Sequence, residues 1–228
     1  MEDLQNCFEL LKSGDPNGLR RVLELDPGAS EARDATGVSL LMQCLYRGQR
    51  DLAELIAGKK KLDIFEAAAL GHVERLKTCI TDADSRDASV AGSRALDSPS
   101  KDGFTALHFA CFFGQPEAAR LLLQHGAAVD AVAANPTRVM PLHSAASARN
   151  LEAAQLLVAR GAPLNARQQG GWVPIHAAAQ NGDRAMVELL LQHGADPTLA
   201  NETGKTPSDV AREKGHNEIV ALLEKRAL

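Results

Sequence analysis

The chain has 228 residues, a net charge of −4, 45% hydrophobic residues and only 4% aromatics. The charge is spread without a basic stripe, which argues against nucleic acid, whose binding draws on clustered Lys and Arg. No apolar run approaches the roughly 20 residues of a membrane span. The start Met1-Glu2-Asp3-Leu4 lacks the positive end and apolar core of a secretory signal. Cys7, Cys44, Cys79 and Cys111 lie more than 30 residues apart with no C-x-x-C pair, which suits reduced thiols. A soluble, cytoplasmic protein is expected.

In chain order the pattern is one of short paired helices. Residues 1–33 carry one apolar face on Leu4, Phe8, Leu10 and Leu11 and another on Leu19, Val22, Leu23 and Leu25, with Asp15-Pro16 as cap and first turn of the second helix. This unit reads as an N-terminal cap. In 34–58, Leu40, Leu41, Cys44 and Leu45 precede Leu52, Leu55 and Ile56. Unit 59–80 follows almost directly, so no hairpin fits between them, and Lys59-Lys60-Lys61 is read as a solvated turn. Residues 81–100 are rich in Ser and Asp with little apolar periodicity and are expected to form a long projecting loop on the hairpin side.

Units 101–133, 134–168, 169–201 and 202–228 are more regular, apart from a two-residue extension around Ala131–Pro136. The cleanest copy runs from Gly171 to Leu199. Val173-Pro174-Ile175-His176 enters a helix, Asn181-Gly182 reverses the chain, and Met186, Val187, Leu189, Leu190 and Leu191 form the apolar face of a second helix. The last unit turns Glu218, Glu224, Lys225 and Arg226 to solvent, as a C-terminal cap requires.

The inter-helix turns fall at Gly14, Gly48, Gly71, Gly114, Arg149, Gly182 and Gly215, at gaps of 34, 23, 43, 35, 33 and 33. The short and long gaps are adjacent and together make two 33-residue units, so the register of seven units is kept. Arg149 stands where the other turns have Gly, which implies either a strained left-handed backbone or an altered turn there. Thr105-Ala106-Leu107-His108, Met140-Pro141-Leu142-His143, Val173-Pro174-Ile175-His176 and Thr206-Pro207-Ser208-Asp209 open four units, and Leu121-Leu122-Leu123-Gln124-His125-Gly126-Ala127 closes one. This arrangement resembles the ankyrin-repeat family. In the earlier units Phe8, Met42 and Phe65 fall in the histidine slot. The resemblance implies an all-α solenoid of about seven helix-turn-helix repeats with short hairpin loops, forming a single domain over 1–228.

His108, His143 and His176 occupy one position in successive units, separated by a helix-packing distance of roughly 8–10 Å. They cannot share a zinc ion bound at about 2.0–2.1 Å, and no metal site is expected. The family resemblance implies that this histidine braces adjacent turns with the nearby Thr, here His108 with Thr105; at His143 and His176 the Thr is replaced by Met140 and Val173. No nucleotide fingerprint, nucleophile elbow or zinc motif occurs, so neither an enzyme nor a cofactor is expected.

Within the family pattern, the residue before the Thr and the two before the inter-helix Gly line the concave groove. Phe104 and Trp172 hold the first position, and Tyr46, Phe112 and Phe113 the second. Five of the eight aromatics thus sit where the solenoid does not need them for packing, while Phe8, Phe65 and Phe109 fall at packing positions. Aromatic anchors dominate interface energetics. The expected function is non-catalytic binding of a partner protein through the concave groove and hairpin fingers, by a monomer. A small-molecule receptor using the pocket beneath Phe104, Phe112 and Phe113, or a regulatory or inhibitory subunit of a separate enzyme, are the alternatives.

Overall fold

The computed structural model describes residues 2–86 and 96–226. Among these residues lie fourteen α-helices in seven pairs. The pairs are α1 (Glu2–Ser13) with α2 (Pro16–Leu25), α3 (Leu40–Tyr46) with α4 (Arg50–Ala57), and α5 (Ile64–Leu70) with α6 (Val73–Arg86). They continue with α7 (Ala106–Phe112) and α8 (Pro116–Gln124), α9 (Pro141–Ser147) and α10 (Leu151–Ala159), α11 (Pro174–Asn181) and α12 (Arg184–Gln192), and α13 (Pro207–Glu213) and α14 (Asn217–Arg226). First helices pack on first helices and second helices on second helices, giving two layers. The described residues contain no β-strand, only an isolated bridge between Arg33 and Ser39.

The inter-helix turn takes a left-handed residue in every unit: Gly14, Gly48, Gly71, Gly114, Gly182 and Gly215 all have positive φ, and Arg149 adopts φ 58°. Most of these sites need glycine for its backbone freedom. Gly182 needs it for space too, because a Cβ there would lie 2.7 Å from the His216 ring. The same turns satisfy helix-end carbonyls of the neighbouring unit. Asn150 Nδ2 donates to Cys111 O at 3.2 Å, Asn181 Nδ2 to Ser147 O at 3.0 Å, and the Arg149 guanidinium to Asn181 O.

Alanine allows the first helices to approach closely. Ala67, Ala110, Ala145, Ala178 and Ala211 hold the same position in five units and are fully buried. Larger side chains such as Leu76, Leu122, Leu157 and Leu190 fill the space between the layers. Each such burial contributes about 1.5–3 kcal/mol against the cost of ordering the chain.

Three sequence expectations need correction in the third unit. The loop drawn from Thr81 begins later, because α6 runs on to Arg86. At its other end Leu96 is buried and the Asp97 carboxylate accepts the Ala128 N–H at 2.8 Å, so that end is packed. The part of the projection over 87–95 lies outside the described residues.

Phe65 does not hold the histidine slot. The α5 helix begins one residue late relative to its turn, so the third helical position belongs to Glu66. Its carboxylate accepts the N–H of the N-cap Asp63 at 3.2 Å, while Asp63 accepts from Glu66 N at 2.9 Å, a reciprocal capping box. Lys60, expected in a solvated turn, has a side chain only 2% exposed and reaches Glu66 Oε1 at 3.0 Å and Glu31 Oε2 at 3.1 Å. The Glu66 side chain is itself 1% exposed, which is why a buried ammonium is tolerated there.

Candidate functional site

From the fourth unit onward, the site rests on a row of buried imidazoles. The Thr105 N–H and hydroxyl both donate to His108 Nδ1, at 3.2 and 2.8 Å. With Nδ1 accepting, the proton sits on Nε2, which donates to Val139 O in the next hairpin at 3.0 Å. The hydroxyl is dispensable for this geometry. The Met140 and Val173 N–H groups donate to His143 and His176 Nδ1 at 3.2 Å each. His143 Nε2 then meets Ala166 O at 3.0 Å, and His176 Nε2 meets Lys205 O at 3.1 Å.

Burial disfavours the charged ring, lowering His108 and His143 to about 4 and His176 in the same direction. In the last unit Asp209 replaces the imidazole and accepts from the Thr206 N–H and hydroxyl at 3.0 and 2.7 Å. Hydrogen bonding from Thr206 holds its carboxyl below the usual range.

On this frame the structure brings four of the five groove aromatics together. The Tyr46 and Phe113 ring centroids are 5.9 Å apart, Phe112 meets Phe113 edge-on at 5.2 Å, and Phe104 joins through Phe109 at 5.7 Å. Tyr46 can lean across the third unit because that unit places the buried Ala69 at the equivalent position. The Tyr46 hydroxyl donates to Asp102 Oδ2, tying the cluster to a hairpin. Trp172 stands apart, 5.3 Å from the His176 ring and beside Gln168, Gln180 and Asn181.

Exposure divides the four. Tyr46 is 40% and Phe112 47% exposed. Phe104 and Phe113 are half-buried and pack on the core, so they serve the fold, contrary to their reading as surplus to packing. Phe109, assigned to packing alone, also lines the opening below Phe112.

That opening is an apolar cleft of about 200 Å³ between the fourth and fifth units. It arises from a step in side-chain size. The fourth unit supplies Phe104, Phe109 and Phe112 where the fifth supplies Val139, Ser144 and Ser147 at the same positions, and all six line the cleft. Among the described residues no group of three or more His, Cys, Asp or Glu side chains could hold a metal ion. Cys7, Cys44, Cys79 and Cys111 form no disulfide with one another, and burial pushes the Cys44 thiol up to about 12.

A pattern described as ankyrin repeats in three copies matches residues 64–168 and again 142–227. The chain is an ankyrin-repeat protein. It is 40% identical over 85 residues to the B-cell lymphoma 3 protein homolog of Mus musculus, a match covering 37% of this chain and 19% of that relative's length. The chain thus spans less than two thirds of this relative. Ankyrin repeats generally mediate protein–protein interaction, and the family is typically non-catalytic. No helix among the described residues is long and apolar enough to cross a membrane.

Proposed function

We propose that this ankyrin-repeat protein is a non-catalytic module that binds a partner protein in its concave groove, with Tyr46 and Phe112 as the outer anchors of the contact and Phe104 and Phe113 as their rigid backing. Trp172 forms a separate contact two units further on. The observation that carries this reading is the exposure of Tyr46 and Phe112 on the lip of an apolar cleft. Exposed rings give a folded monomer little, but give an interface apolar area at low entropy cost.

The cleft favours a partner's side chain over a free metabolite. Its volume of about 200 Å³ falls below the roughly 300–1,000 Å³ of drug-sized ligand pockets, yet it suits one apolar side chain. Four cysteines spread over different repeats with no C-x-x-C pair support a reducing compartment such as the cytoplasm. The test is quantitative affinity capture with the wild-type chain and with Phe112→Ala, followed by measurement of the captured partner's Kd. Phe112→Ala should weaken binding more than tenfold and leave the Tm within a few degrees, because the ring is half exposed. Trp172→Ala should weaken it less. Unchanged affinity together with a large drop in Tm would place Phe112 in the core and sink the reading.

A further inference from the structure

The aromatic cleft has a neighbour one unit along the groove. Ser147, which lines the cleft, also lines a second opening, whose other wall is Gln168, Trp172, Ala177 and Gln180 of the sixth unit. Trp172, Ala177 and Gln180 stand at the repeat positions of Phe104, Phe109 and Phe112. The second opening is thus a copy of the first, with an indole and carboxamides where the cleft has phenyl rings.

Its polar groups are unengaged. Five residues before the N-cap, the hairpins place Asp34, Ser100, Asn135, Gln168 and Asn201. Four of these turn a side-chain oxygen onto their own hairpin, accepting from the N–H of Thr36, Phe104, Thr137 and Thr203 at 2.8, 3.2, 3.1 and 3.0 Å. Gln168, with its longer side chain, does not. Among the described residues neither its carboxamide, nor that of Gln180, nor the Trp172 indole N–H has a hydrogen-bond partner. The indole itself is held in place, 5.3 Å from the His176 ring and against Gly170, where an added Cβ would be 3.3 Å from Trp172 Cδ1. No residue lining either opening is charged at neutral pH, since burial keeps His108 and His143 neutral. Charge resumes just beyond Trp172, where Lys205 pairs with Glu213 at 2.7 Å.

We propose, resting on the partner-binding reading above, that the groove takes an uncharged polyproline II segment of the partner. One apolar residue fills the cleft and another, three positions along, covers the Trp172 ring, while backbone carbonyls between them accept from the indole N–H and the two carboxamides. Spacing selects this conformation. Successive units step by roughly 8–10 Å, and a polyproline II helix presents the same face every three residues, about 9 Å. A strand presents one face at about 6.6 Å intervals and falls out of step. An α-helix repeats its face after about 10.5 Å, but its carbonyls are bonded within the helix and would leave the indole and carboxamides unmet. Polyproline II has no internal hydrogen bonds, so its carbonyls are free to accept. A charged segment would lose hydration here with no opposite charge to meet it.

The probe is the capped peptide Pro-Leu-Pro-Pro-Leu-Pro, which reads alike in both directions, titrated into the full chain. Trp172 is the single tryptophan of the chain, so one indole N–H resonance and one fluorophore report on the site. The peptide should bind saturably and shift that resonance. Pro-Leu-Pro-Leu-Pro-Pro, of equal composition with its leucines two apart, should bind about tenfold more weakly, and an amphipathic helix with leucines seven apart should also bind more weakly. Trp172→Phe keeps a ring and removes the N–H, and should weaken peptide binding about two- to tenfold, with circular dichroism and Tm establishing that it is folded. No binding, equal binding of the two spacings, tighter binding of the helix, an unmoved indole resonance or full affinity in Trp172→Phe would each overturn the proposal. The partner-binding reading fails separately: it falls if Phe112→Ala leaves the captured partner's Kd unchanged, and it outlives a failed peptide if that variant weakens the partner.

Discussion

Between Lys101 and Lys205 each unit is tied to the next by an imidazole that reaches forward to a hairpin carbonyl, and the hairpins are tied to one another by backbone bonds. Between Asp34 and Ser100 neither device is present among the described residues. The third unit instead places Glu66 where the later units have histidine, and its carboxylate holds Lys60 of its own connection. Its forward link is aromatic, with Phe65 edge-on to Phe109 at 6.0 Å. The third helical position therefore carries a buried hydrogen-bonding side chain in both regions. Whether that side chain is neutral or charged depends on whether a hairpin carbonyl is there to meet it. With a carbonyl in reach an imidazole is satisfied without charge; where the hairpin is missing, a buried carboxylate requires an ammonium.

The two regions should consequently respond to acid with opposite sign, and this is the largest effect expected. His108 and His143 are lowered to about 4 in the folded chain, against about 6.5 unfolded. The unfolded state therefore binds more protons between those values, and the stability these groups contribute above pH 6.5 is lost as pH falls toward 4. Linkage gives about 2 kcal/mol for each ring between pH 7.5 and 5. Asp63 moves the other way. Burial, followed by the neighbouring Glu66, raises its folded pKa, so its contribution is present at low pH and is lost as pH rises through that value. Hydrogen exchange at pH 7.5 and 5 should show α7, α9 and α11 loosening on acidification while α5 holds. Equal loosening of both regions would erase the distinction.

The second test acts on the charged junction. Glu66→Ala leaves the buried Lys60 ammonium with only the exposed Glu31 carboxylate as partner and should cost up to about 3 kcal/mol. Replacing both residues, as Lys60→Met with Glu66→Leu, should recover most of that loss, because the desolvation of two charges disappears along with their attraction. Urea unfolding of the single and double variants measures this directly. A double variant as unstable as Glu66→Ala would mean that the carboxylate's bond to the Asp63 N–H, and not the ion pair, carries the junction.

Much of this contrast was legible before the structure. The turn register announced seven units and the missing hairpin, because a 33-residue spacing leaves strong local marks, while at Arg149 it left a strained left-handed backbone and an altered turn both open, and φ 58° decides for the first. The burial of Lys60 left none, since three consecutive lysines look solvated unless Glu66 is known to fold back over them. The end of α6 was missed because Thr81–Arg86 lacks the apolar periodicity that marks α6 as far as the buried Ile80. The sequence names the aromatics only by their positions on the repeat, and which of them meet depends on neighbours. Trp172 sits two units from Phe104, and the cleft becomes visible in sequence only when Phe104, Phe109 and Phe112 are set beside Val139, Ser144 and Ser147.

The smallest effect concerns the one inter-helix turn in the regular region that lacks glycine. Arg149 adopts φ 58°, a conformation that costs an L-residue with a Cβ roughly 1–2 kcal/mol. Its guanidinium recovers part of this by donating to Asn181 O in the next unit, although an exposed bond of that kind contributes only about 0.5–1.5 kcal/mol. Arg149→Ala keeps the strained backbone and removes the bond, whereas Arg149→Gly removes both. Glycine should therefore be more stable than alanine here by about 1 kcal/mol, the reverse of their order inside a helix. Thermal unfolding of the two variants decides it. Alanine matching or exceeding glycine would show that the turn relaxes out of the left-handed region once the guanidinium is gone, and that Arg149 holds the backbone there by its bond to Asn181.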